Sequence, residues 1–88
     1  MASCSAPDRG RPVADGLERA WLAEVGLRIR VARVRRRESQ ERLAELARTS
    51  RVTLGSVERG DHAAGVLTYV RLARTLGVSL DELLADAP

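Results

Sequence analysis

Eighty-eight residues allow one small domain with a marginal core, and with Trp21 and Tyr69 the only aromatics that core has to be aliphatic, which favours packed helices over sheets. A single cysteine, Cys4, excludes an internal disulfide and a cysteine-based zinc site, and no apolar run is long enough to span a bilayer or resembles a signal peptide, so the cytoplasm is the expected compartment and no membrane partner is expected. The net charge of +3 comes from arginine alone, since there is no lysine, and between Arg28 and Arg74 twelve arginines face five acids, an excess that codon bias toward Arg does not place there and that suits a phosphate-binding surface.

Met1 to Ala14 is rich in Ser, Pro, Gly and Arg without periodicity, which predicts a disordered, solvated tail. Arg9 and Arg11 could make it a basic arm, but Asp8 and Asp15 weigh against that. Asp15, with Glu18 three residues on, offers a cap for a long helix of about Leu17 to Arg36. Leu22, Val25, Ile29 and Ala32 share one face and should be its core side. Leu27, Val31 and Val34 form a second stripe on nearly the opposite face. That stripe must be covered, either by the segment around Ala20 and Trp21 or by a partner. The run Arg33 to Glu38, taken alone, reads as a solvated connection.

Ser39 can cap the next helix, Gln40 to Ala47, with Leu43, Ala44 and Ala47 on one side. Arg48-Thr49-Ser50 interrupts the pattern, and Ser50 is a second cap. Beyond it Leu54 and Val57 lie on one face, while Arg51, Val52, Gly55, Ser56 and Arg59 lie on the other. Gly60 can end this helix in the left-handed conformation. Two short helices joined by a tight turn, the second with an apolar back and a front of Arg and small polar residues, describe a helix-turn-helix at residues 40–59.

Asp61 to Gly65 is a loop, and its His62, with no second ligand at suitable spacing, reads as a surface residue rather than a metal ligand. Val66 to Leu76 should be a fourth helix with Val66, Tyr69, Val70, Ala73 and Leu76 toward the core. Gly77 ends it, and Ser79 with Glu82 forms a capping box for a short fifth helix carrying Leu80, Leu83 and Leu84. Asp86 to Pro88 should fray. The expected fold is therefore all-α, a compact bundle of about five helices over residues 15–85.

Five pieces stand in register from about Val25 to Leu84: SQxxLA (Ser39 to Ala44), the pair Leu54 and Val57, ERG (Glu58 to Gly60), LAxxLGVS (Leu72 to Ser79) and LDELL (Leu80 to Leu84). On these the chain resembles the helix-turn-helix domain of phage lambda repressor and Cro, the xenobiotic-response-element type. The resemblance implies that residues 50–59 enter the major groove of double-stranded DNA, the groove that distinguishes all four base pairs. It implies base contacts by Arg51, Val52, Gly55 and Ser56, phosphate contacts by Gln40, Ser50 and Arg59, and a structural ion pair between Arg33 and Glu58. Three residues depart from the family pattern. Arg37 stands where Gly is common and Glu38 where an apolar residue is favoured, which predicts a looser connecting turn. Arg48 replaces the Gly of the inner turn, where a left-handed backbone costs a non-glycine residue about 1 kcal/mol.

The leading function is a sequence-specific DNA-binding transcriptional regulator, a homodimer on a two-fold operator. A second reading is the antitoxin of a toxin–antitoxin pair, which binds DNA and a toxin protein, with Leu27, Val31 and Val34 as the partner surface. A third is a protein-interaction module that has lost DNA binding. No nucleophile–base pair, carboxylate pair or phosphate-cradling glycine loop points to an enzyme, and no cofactor or metal is expected.

Overall fold

The structure, a computed structural model, describes residues 16–85; the expected tail at 1–14, the Asp15 cap and the fraying at 86–88 lie outside the described residues. Five helices occur among the described residues, α1 (Gly16–Arg35), α2 (Gln40–Leu46), α3 (Arg51–Arg59), α4 (Val66–Leu76) and α5 (Leu80–Leu84). The starts of three are written in serines. Ser39 Oγ accepts from the Arg42 N–H, Ser50 Oγ from the Thr53 N–H, and Ser79 and Glu82 close a full capping box.

The ends of the first four helices share one device. One or two residues past the helix the backbone turns left-handed, and two successive N–H groups reach back to carbonyls that would otherwise lack partners. Gly60 and Gly77 do this at φ 72° and 74°. Arg37 and Arg48 do it at φ 59°, without the freedom of glycine. At the first turn the Arg37 N–H bonds Val34 O at 2.9 Å and the Glu38 N–H bonds Arg33 O at 3.1 Å. The looser turn expected from Arg37 and Glu38 is thus incorrect: the hydrogen bonds hold the arginine in the glycine conformation and the turn stays tight.

The core is aliphatic. Val25 and Ile29 of α1, Leu43 and Ala44 of α2 with the following Ala47, Leu54 and Val57 of α3, Leu72, Ala73 and Leu76 of α4, and Leu83 of α5 are buried together. Ile29, Leu43, Leu54 and Leu72 are fully enclosed, so truncating any of them to Ala would cost about 2–5 kcal/mol. Two expectations need correction. Leu22 is only half-buried and lines an apolar groove of about 240 Å³ with Trp21, Val66, Tyr69, Leu80 and Leu84. Val66 is 72% exposed and Leu72, not assigned to the core, is 0% exposed. The buried residues of α4 all lie in its C-terminal half, so its first turn overhangs the bundle.

Gly26 sets the distance between α1 and α3. A Cβ there would collide with the Val57 carbonyl oxygen and lie 2.8 Å from that of Glu58, so only glycine permits this approach. Two arginines of α1 and its exit tie down the far end of the molecule. The Arg28 guanidinium donates to the carbonyls of Glu82, Leu83 and Ala85 at the end of α5, and Arg36 Nη1 donates to Leu76 O at the end of α4. Both place positive charge at the negative end of a helix dipole. Among the described residues no helix is long and apolar enough to cross a membrane.

Candidate nucleic-acid interface

Leu54 and Val57 hold the inner face of α3 against α1 and α2, so its outer face is fixed by where the core is. Arg51 and Val52 stand exposed at the N-terminal end of that face, Ser56 is partly exposed, and Arg59 is exposed at its C-terminal end. Gly55 lies between them but is buried. The direction of its missing Cβ leads to Arg59 Nη1, 3.2 Å away, so the Arg59 side chain shields it.

The arginines of this face are held loosely. Arg51 Nε lies 3.5 Å from Glu41 Oε2, with both side chains well exposed. Arg59 Nε donates to Asp61 Oδ2 at 2.7 Å and its Nη2 to Ser56 Oγ at 3.4 Å. Exposed pairs of this kind contribute at most about 1 kcal/mol, so phosphate or a base edge can displace the carboxylate. Ser50 is more committed: its Oγ caps α3 and also donates to Thr53 Oγ1 at 2.8 Å.

Behind the face lies a polar cluster that sets the angle of α3. Arg33 of α1 grips the Glu58 carboxylate with two bonds, Nε to Oε2 at 2.7 Å and Nη2 to Oε1 at 3.1 Å, and spends Nη1 on the Glu38 carbonyl at 2.8 Å. Gln40, the first residue of α2, donates from Nε2 to Glu58 Oε1 at 3.0 Å. One carboxylate thus joins α1, α2 and α3. The hydrogen bond to Glu58 raises the Arg33 pKa above its ordinary value against the opposing pull of burial, so its charge is permanent. Gln40, expected at a phosphate, has one amide N–H in this cluster, and its nitrogen carries a second.

Sequence reasoning missed the surroundings of Ser56. Val52, Thr53 and Ser56 share a cleft of about 200 Å³ with His62, Ala63 and Ala64 of the following loop. Nothing in the loop sequence signals this; it follows from Gly60 turning the chain back along α3. The stripe Leu27, Val31 and Val34 stays uncovered among the described residues, and Ala20 and Trp21 cannot fold over it, because they belong to the same continuous helix.

Comparison with known proteins places this arrangement. The helix-turn-helix family model matches residues 29–83. The restriction-modification controller protein C.AhdI from Aeromonas hydrophila is 35% identical, with a TM-score of 0.68 over 70% of this chain and 94% of that one. SinR, the master regulator for biofilm formation, solved in complex with DNA, is 30% identical, with a TM-score of 0.65 over 68% of this chain and 97% of that one. The P22 c2 repressor, solved on a synthetic operator, is 28% identical, with a TM-score of 0.66 over 69% and 92%. No functionally curated protein matches by sequence. With more than half its length in that match, and its helices in the same order, the chain belongs to the helix-turn-helix family of the lambda repressor and Cro type.

Proposed function

We propose that this chain regulates transcription by seating α3 in the major groove of an operator, with Arg51 and Val52 reading base edges. The coarse function follows from the family: it is a sequence-specific DNA-binding regulator. The observation that carries the finer reading is the outer face of α3, which presents Arg51 at the end that reaches furthest into a groove. Arg51 can give two hydrogen bonds to guanine, and Val52 can pack on a thymine methyl. Ser56, with His62 beside it, offers a polar contact further along, and Gly55 admits close approach once Arg59 swings away. Gln40, Ser50 and Arg59 meet phosphates, Gln40 through its second amide N–H. The chain works in the cytoplasm without catalysis, as a homodimer on a two-fold site, since one recognition helix spans only a half-site.

Arg51→Ala tests this. A bidentate Arg–guanine contact discriminates by about 1–3 kcal/mol, so DNA selected from a random pool should lose preference at one base pair per half-site and keep the rest. Identical motifs for wild type and variant would remove Arg51 from readout. A wild type that selects no motif would leave the protein-interaction reading in its place. The exposed Leu27, Val31 and Val34 favour a protein partner in addition to DNA, as in an antitoxin.

A further inference from the structure

The stripe on α1 has a charge pattern that specifies its occupant. Leu27 is 50% exposed, Val31 38% and Val34 56%, a row of about 10 Å along two turns. Beside it runs a groove of about 300 Å³, floored by Ala32, Val78 and Leu83 and edged by Arg28 and Arg35. The two carboxylates at this groove are already engaged. Glu24 Oε2 accepts from Arg28 Nε at 2.9 Å, and Glu82 Oε1 accepts from the Ser79 N–H at 2.8 Å. Arg35 keeps no partner among the described residues. On the other flank Arg30, one turn on from Gly26 and so toward α3, has none either. The surface is an apolar row between two cations that have no partner among the described residues.

We propose that this row docks an acidic amphipathic helix of another protein, with apolar residues at i, i+3 or i+4 and i+7 on the row and carboxylates meeting Arg30 and Arg35. The proposal rests on the reading that the stripe receives a protein partner and names that partner's chemistry. Charge excludes the nearer occupants. A second copy would bring its own unpaired Arg30 and Arg35 to the same flanks, a like-charge arrangement that specific interfaces avoid. Residues 1–15 carry Asp8 and Asp15 against Arg9 and Arg11 and so offer no net negative charge. A lipid surface would accept the charges, but it is flat and would leave the groove between α1 and α5 unfilled.

The test uses the full chain and a fluorescein-labelled synthetic helix of about 18 residues with leucines at those spacings and glutamates on both flanks. Matched peptides carry Gln or Lys in place of Glu, and binding is read by anisotropy. The acidic peptide should bind at least about tenfold more tightly than the Gln peptide. Val31→Glu should weaken it to a similar degree, while Arg30→Glu with Arg35→Glu should transfer preference to the Lys peptide. Operator affinity and helical content should survive in each variant, which separates failure of this proposal from failure of the DNA-binding reading. Equal binding of the acidic and Gln peptides would overturn the proposal, as would acidic binding that ignores all three substitutions. A wild-type dimer that Val31→Glu dissociates would hand the row to a second copy. Peptide binding that appears only after removal of residues 1–15 would hand it to the chain's own segment. Capture by phosphatidylglycerol vesicles, with no peptide binding, would assign it to a lipid surface.

Discussion

Glu58→Ala removes the one acceptor shared by three helices. Arg33 loses both side-chain bonds, Gln40 loses its one, and only the bond from Arg33 to the Glu38 carbonyl survives. Breaking a buried ion pair by deleting one partner costs about 3–5 kcal/mol, because the remaining charge stays desolvated. Here the Glu58 side chain is 3% exposed and that of Arg33 13%, so water reaches the stranded guanidinium a little. The expected loss sits at the lower end, about 3 kcal/mol, against a total stability of about 5–15 kcal/mol for a domain of this kind. Urea unfolding followed by far-ultraviolet circular dichroism measures it. The control is Arg33→Met with Glu58→Leu, which removes both charges and fills the space. It should recover most of the loss, since apolar replacement of a buried pair is commonly neutral or stabilising. A loss for Glu58→Ala below about 1 kcal/mol, the value of an exposed pair, would refute the cluster as the brace of α3. A double variant no better than the single one would refute the desolvation argument.

Three further predictions follow from the same geometry. Gly26→Ala forces α1 and α3 apart against backbone carbonyls and should lower stability by about 1–3 kcal/mol or more, weakening operator binding with it; an unchanged melting temperature would contradict the close approach. Arg37→Gly and Arg48→Gly relieve two left-handed arginines and should each stabilise by up to about 1 kcal/mol, read as a rise in urea midpoint at constant slope. Arg59→Ala should weaken binding to all sequences alike and reduce the negative slope of log K against log salt by roughly 0.9, whereas a changed sequence preference at constant slope would move Arg59 from phosphate to base.

The fold was legible because its punctuation is local. Ser39, Ser50 and Ser79 before apolar periodic runs, and Gly60 and Gly77 after them, mark starts and stops that need no tertiary information. The phase of α4 was less legible. Val66, Tyr69, Val70, Ala73 and Leu76 and the observed Leu72, Ala73 and Leu76 are both consistent with one amphipathic helix, and which of them is enclosed depends on how far α4 overhangs its neighbours. Two features of the site could not be read at all. The resemblance paired Arg33 with Glu58, but Gln40 and the Glu38 carbonyl join them only because the turn at Arg37 is tight. Gly26 sits in α1 with no sequence signal beyond being a glycine inside a helix, and its meaning appears only when α3 is laid against it.

The arginines concentrated between Arg28 and Arg74 fall into unlike populations in space, three of which bear on the fold and the reading face. Arg28, Arg33 and Arg36 are committed to the fold, capping α5, bracing α3 and capping α4. Arg37 and Arg48 occupy turns where their backbone is strained. Arg51 and Arg59 are on the proposed reading face, and each has an exposed carboxylate at hand, Glu41 and Asp61. Those acids reduce the attraction of the face for DNA, because each exposed pair has to give way before its arginine can engage. Ordering such a side chain on binding costs about 0.5–1.5 kcal/mol, comparable to the exposed ion pair that must be exchanged. The exchange is therefore close to neutral for a wrong site that offers only phosphate. It becomes favourable where a guanine edge gives Arg51 two hydrogen bonds that Glu41 at 3.5 Å does not. On this argument Glu41 and Asp61 lower the affinity for DNA as a whole, and the discrimination comes from the two hydrogen bonds that a guanine edge gives Arg51.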